Sequence, residues 1–205
     1  PGDTNLVNNI VKMLALSDDC TGNDLFLKAV TAMYNNRPSA SSAYYLYRLN
    51  ASRDNWSNAY KYLEEAINAP DAKAEDAAGY QFELATIYLK NGQNAKAYTA
   101  AQKAVELDDS YTGKAYYLIG TIWGATKCGG GYIESRAPYW VAVDYLIKAR
   151  NADSSLADDC NRLIGQYSSY FPQKAEAFMY DVNDGQGYTV SCGGMRASTT
   201  VRTQK

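Results

Sequence analysis

The chain has 205 residues, 46% of them hydrophobic, with a net charge of −2 and no histidine. That apolar content supports a folded core rather than disorder, and mixed charges without a basic stripe argue against a nucleic-acid partner. The missing histidine excludes Ser-His-Asp triads, Cys-His dyads and histidine-ligated metals, and no apolar run approaches the ~20 residues needed to cross a bilayer as a helix. Starting at Pro1 with neither an initiator Met nor a signal peptide, the chain reads as a mature or trimmed product.

Helical spacing dominates as far as Phe171. Residues 6–39 form a degenerate first helical pair. Next come three stretches that superimpose: Ala59, Leu63 and Ala66; Ala97, Ala101 and Ala104; Ala142, Leu146 and Ala149. Their shared spacings of 4 and 7 put small and medium side chains on one helical face. Small residues there let a neighbouring helix come close. A second helix precedes each of the last two stretches, marked by Leu84, Ala85 and Tyr88 and by Ile119, Gly120 and Trp123. Because glycine costs a helix about 1 kcal/mol relative to alanine, Gly120 reads as a close-packing position. A last helix spans 156–171. Past Pro172 the helical period fades: "KAEAF" can hold one short helix, and the Thr-, Val- and Tyr-rich remainder reads as a β-hairpin of two or three short strands. Asp184-Gly185 is a hairpin turn signal and Gly193-Gly194 a second possible turn.

The segment from Ala78 to Tyr111, "AGYQFELATIYLKNGQNAKAYTAAQKAVELDDSY", resembles the tetratricopeptide repeat (TPR), with Gly92 at the turn and Asp109 where that family usually has proline. The resemblance implies a mainly α fold, a right-handed α-α superhelix of stacked helical hairpins. Its units would be 6–39, 40–73, 78–111, 113–154 and 156–172, giving an array over 1–172 and a short helix plus β-hairpin cap over 173–205. Ala85 to Ala97 is 12 residues and Gly120 to Ala142 is 22, so an insertion at 127–138, "KCGGGYIESRAP", falls in the turn of the fourth unit. Insertions in repeat arrays emerge as surface loops, often on the binding face. Pro138 suits the first turn of the helix that follows.

The family pattern implies partner-binding positions on the first helices: Tyr44, Arg48, Phe82, Thr86, Lys90, Tyr117 and Thr121. Tyr and Arg offer stiff contact area with a polar tip; as a groove residue, Tyr117 could become Ala with little loss of stability. The carboxylate clamp of chaperone-binding TPRs is not matched, since Arg48, Thr86 and Thr121 stand where it needs Asn and only Lys90 agrees. The insertion and tail resemble the C-terminal end of exported TPR proteins of the Bacteroidetes envelope. That implies a periplasmic or cell-envelope location, with a cytoplasmic one left open, and further TPR units N-terminal to this chain. An oxidising compartment permits disulfides. Cys128 and Cys192 both precede Gly-Gly and form the candidate pair, with free thiols as the alternative; Cys20 and Cys160 are expected to stay unpaired.

The function implied is a non-catalytic scaffold whose concave surface binds a protein or peptide. The alternative is a glycan-binding accessory protein that stacks sugars on Tyr132, Tyr139 and Trp140, with Trp123 nearby. The tail either caps the array or fills its groove. No cofactor or metal is expected: the cysteines lack C-x-x-C spacing, "YTGKAYY" lacks the earlier glycine of a P-loop, and "DVNDGQG" has glycine at the fifth rather than sixth place of a calcium loop. Three Asp pairs, 18–19, 108–109 and 158–159, sit where helices begin, so helix capping is expected of them rather than acid–base chemistry.

Overall fold

The computed structural model describes residues 4–17, 20 and 23–204; Asp18 and Asp19 lie outside them. The fold is mainly helical with one small antiparallel sheet, and it divides into two compact units, residues 1–80 and 81–205.

The first unit holds α1 (Thr4–Leu14), α2 (Asp24–Asn36), α3 (Ala40–Ala51), α4 (Trp56–Asn68) and the start of α5 (Ala74–Lys90). Helix α1 packs on α2, α2 on α3 and α3 on α4. Asn23 caps α2 by accepting from the Phe26 N–H at 2.7 Å, and Ser39 and Ser42 cap α3 reciprocally. Helix α2 stops ahead of Pro38, whose ring disfavours the helical region for Arg37. Val11, Phe26, Val30, Leu46 and Leu49 form the core; each fully buried side chain of this size contributes roughly 1.5–3 kcal/mol. Tyr34 on α2 donates to Glu65 on α4 at 2.5 Å. That bond, with burial, pushes the phenol up to about 12.

The second unit contains the end of α5, then α6 (Asn94–Leu107), α7 (Thr112–Ala125), α8 (Ala137–Ala152), α9 (Ala157–Ser168), α10 (Lys174–Met179), β1 (Gly187–Cys192) and β2 (Met195–Thr200). Again α6 packs on α7, α7 on α8 and α8 on α9. All nine positions of the small-residue pattern are at most 1% exposed. Gly120 is a close-packing position: a Cβ there would lie 2.8 Å from Leu146 Cγ and 3.0 Å from the Ala142 carbonyl. One turn later, a Cβ on Gly124 would strike the Tyr167 ring of α9. Helix α7 can therefore approach α8 and α9 closely.

The hairpin differs in detail from the sequence expectation. Its single turn is Gly193-Gly194, both at positive φ, closing pairs from Gly187–Thr200 to Cys192–Met195. Asp184-Gly185 makes no hairpin turn, because it folds back on the returning chain. Gly185 N–H donates to the Val201 carbonyl at 2.9 Å and Asp184 accepts from Thr203 N–H at 2.8 Å. Among the described residues the sheet has two strands rather than three. A two-stranded hairpin is marginal alone; this one rests on α8. The Trp140 indole donates to the Arg202 carbonyl at 2.8 Å, and Asp144 accepts from Thr199 at 2.5 Å and from the Arg202 guanidinium. No described helix is long and apolar enough to cross a membrane.

Candidate functional site

The seven first-helix positions fall in both units and are occupied differently. In the first, Tyr44 stacks on Tyr80 with ring centroids 4.5 Å apart, and Arg48 donates to the Ala15 carbonyl at 2.6 Å. Both side chains tie parts of that unit together. In the second unit, two helices repeat one arrangement four residues apart. Thr86 donates to the Phe82 carbonyl and Thr121 to the Tyr117 carbonyl, each at 3.0 Å. The threonine hydroxyls are thus satisfied within their own helices, leaving half-buried aromatic surface beside them. Lys90 is exposed at the end of α5. Tyr117 packs against the main hydrophobic cluster, and burial, aided by Asp159, pushes its phenol up despite the opposing Arg162. This corrects the expectation of a dispensable ring: cutting Tyr117 to Ala removes packed area and costs about 1–3 kcal/mol.

The three sugar-stacking candidates separate as well. Trp140 is fully buried between α8 and the hairpin, with Tyr188 against its ring at 5.4 Å, so it offers a sugar no face. Trp123 is also fully buried. Tyr132 and Tyr139, by contrast, line one cleft of about 390 Å³ formed by the end of the insertion, the α9–α10 connection and the C-terminal tail. Pro138 in the first turn of α8 fixes where that helix starts, which sets Arg136 and Tyr139 at the cleft edge. The Arg136 guanidinium lies 3.7 Å from the centre of the Tyr132 ring, and Tyr180 stacks on that ring at 5.5 Å. Tyr139 stacks on Tyr170 at 4.6 Å.

Glu176 supplies the acidic wall. Its Oε2 accepts from the Tyr132 hydroxyl and from Gln173 N–H at 3.1 Å, and these bonds hold the carboxyl below the usual glutamate range. Gln204 closes the floor. Its amide donates to the Ser169 and Phe171 carbonyls, both at 2.8 Å, and accepts from Gln173. Sequence reasoning missed Arg136, Tyr170, Gln173, Glu176, Tyr180 and Gln204. Gln173 and Glu176 carry the spacing of a helix-start pair, and Tyr132 and Arg136 are four apart; nothing local marks Tyr170, Tyr180 or Gln204.

The sulfurs of Cys128 and Cys192 lie at bonding distance, with Cα atoms 5.6 Å apart, so the pair ties the insertion to the hairpin turn. Cys20 and Cys160 are free; Cys160 is buried and burial pushes its thiol up, which makes it a poor nucleophile. Asp108 caps the turn before α7 through Ser110 N–H at 2.8 Å. Asp158 and Asp159 occupy the first turn of α9, where they suit its dipole. No described group of three acidic or cysteine side chains is arranged to hold a metal. Set against known proteins, the chain matches no family model and no curated protein.

Proposed function

We propose that the chain is a non-catalytic scaffold of TPR-like helical hairpins that binds a protein or peptide segment along its first helices. The observation that carries this reading is the repeated pairing of Phe82 with Thr86 and of Tyr117 with Thr121. At equivalent places in successive hairpins, an aromatic ring lies half-buried while the neighbouring hydroxyl is satisfied internally. Such a surface is stiff and apolar with polar edges, the character of binding hot spots. The buried small-residue faces support the TPR resemblance, because they are the positions through which stacked hairpins of that family touch. Within each unit, packing of α1 on α2, α2 on α3 and α3 on α4, and of α6 on α7, α7 on α8 and α8 on α9, agrees with a repeat array. The cysteine pair supports an oxidising compartment, such as the periplasm or cell envelope.

Selection from a displayed peptide library on the immobilised protein tests this. Enriched peptides should share a motif, and their binding should fall about tenfold or more, roughly 1.4 kcal/mol, in a Thr86→Lys, Thr121→Lys double variant whose melting curve is preserved. Undiminished binding by that variant, or no enriched motif, overturns the reading.

A further inference from the structure

The cleft walled by Arg136, Glu176 and Tyr170 is built from three segments distant in sequence, and nothing in the scaffold role above requires it. Its volume, about 390 Å³, falls within the roughly 300–1,000 Å³ of small-ligand sites. Three features define what it would accept. Arg136 offers donors only and Glu176 acceptors only, so a ligand that satisfies both must carry groups able to accept and to donate. The two charges are opposite and near enough to act on each other, so a simple anion meets the glutamate and a simple cation the arginine. Of the ligands that avoid both repulsions, zwitterions and neutral polyhydroxyl molecules, the latter also suit an apolar ring face. Tyr170 is 47% exposed with only one ring face stacked on Tyr139, which leaves flat apolar surface at the rim.

The polar groups are held ready rather than loose. Arg136 Nη1 donates to the Tyr132 carbonyl at 3.3 Å and to Ser135 Oγ at 3.4 Å, and the guanidinium rests on the Tyr132 ring. Its Nη2 and Nε have no hydrogen-bond partner among the described residues. Glu176 uses Oε2 for both of its bonds, leaving Oε1 likewise without one. Fixing such groups before binding removes much of the ordering cost, and hydrogen bonds to charged groups are the stronger kind.

From this geometry we infer that the cleft is a binding site for a neutral saccharide, one sugar ring lying on Tyr170 and its hydroxyls bridging Arg136 and Glu176. A pyranose has the required composition: a weakly polar C–H face for an aromatic ring, and hydroxyls that each donate and accept. The site is independent of the peptide-binding positions, being formed by the insertion, the α9–α10 connection and the docked tail.

Titration calorimetry on the intact oxidised chain tests the inference. The probes are neutral tri- and tetrasaccharides of glucose, mannose, galactose and xylose, with oligogalacturonate as the anionic counterpart. At least one neutral oligosaccharide should bind saturably and more tightly than the anionic one. Tyr170→Ala and Arg136→Gln should each weaken that binding about tenfold, while the Thr86→Lys, Thr121→Lys variant leaves it unchanged. Tyr170 is exposed and Arg136 half-buried, so melting curves identify the folded variants; if one does not fold, the other decides alone. Absence of saturable binding by every neutral sugar, preference for oligogalacturonate, or undiminished binding in the folded cleft variants overturns the inference, and none of these outcomes bears on the peptide reading.

Discussion

Two glycines in helices of the second unit show how much a single side chain decides here. Gly120 meets Leu146 Cγ and the Ala142 carbonyl at distances too short for a Cβ, whereas Gly165 on α9 has open space around it. Alanine is the better helix former at both sites by about 1 kcal/mol. At Gly120 that gain is outweighed, because the obstructing atoms are a branch point and a backbone carbonyl rather than a flexible tip. Gly120→Ala should therefore lower stability by about 1–3 kcal/mol, while Gly165→Ala should raise it by up to about 1 kcal/mol. Urea midpoints of the two variants check this; equal shifts of one sign would refute the packing account. The spacing around Ile119 and Trp123 had already marked Gly120. Nothing comparable marked Gly124, since its partner Tyr167 belongs to a helix two elements further on.

Helix α8 explains why Trp140 was misread. Its Ala142, Leu146 and Ala149 face is legible from periodicity, but Trp140, Val141 and Val143 are buried too. The hairpin covers a second side of the helix, and a 3.6-residue period reports only one buried face. Besides buried Val190, Met195 and Val201, the tail is held there by polar anchors to Asp144, whose side chain is 24% exposed and that of Arg202 30%. Removing one partner of a fully buried ion pair costs about 3–5 kcal/mol, and partial exposure reduces this. Asp144→Ala should thus cost about 1–3 kcal/mol, concentrated in the hairpin. Amide hydrogen exchange should quicken across Gly187–Thr200 before it changes in α7. Unaltered hairpin protection would show that the strands are held without Asp144.

Within each unit, helices pack on sequence neighbours, and the long-range closures of the second unit include the tail on α8 and the Cys128–Cys192 pair. That pair is separated by 64 residues, so on the chain-entropy view its bond restricts a long loop of the unfolded chain and contributes about 4 kcal/mol. Replacing both cysteines by serine should lower the stability of the second unit by about that amount in non-reducing denaturation. Alkylation of the unfolded protein should add two labels, at Cys20 and Cys160, without reductant and four after reduction. Four labels without reductant, or an unchanged denaturation midpoint in the double variant, would remove the bridge from the account of stability.

The alanine-spaced faces, the helix order, the insertion and a terminal hairpin were all legible in the letters of the chain. Each depends on residues within a few turns of one another, where period and turn chemistry act. Which side of α8 the hairpin would cover, whether Asp184-Gly185 or Gly193-Gly194 would turn it, and that Tyr132, Arg136, Tyr170, Glu176 and Gln204 would share one cleft were decided only in three dimensions. Those outcomes depend on burying apolar area between distant segments, and burial has no sequence period to announce it.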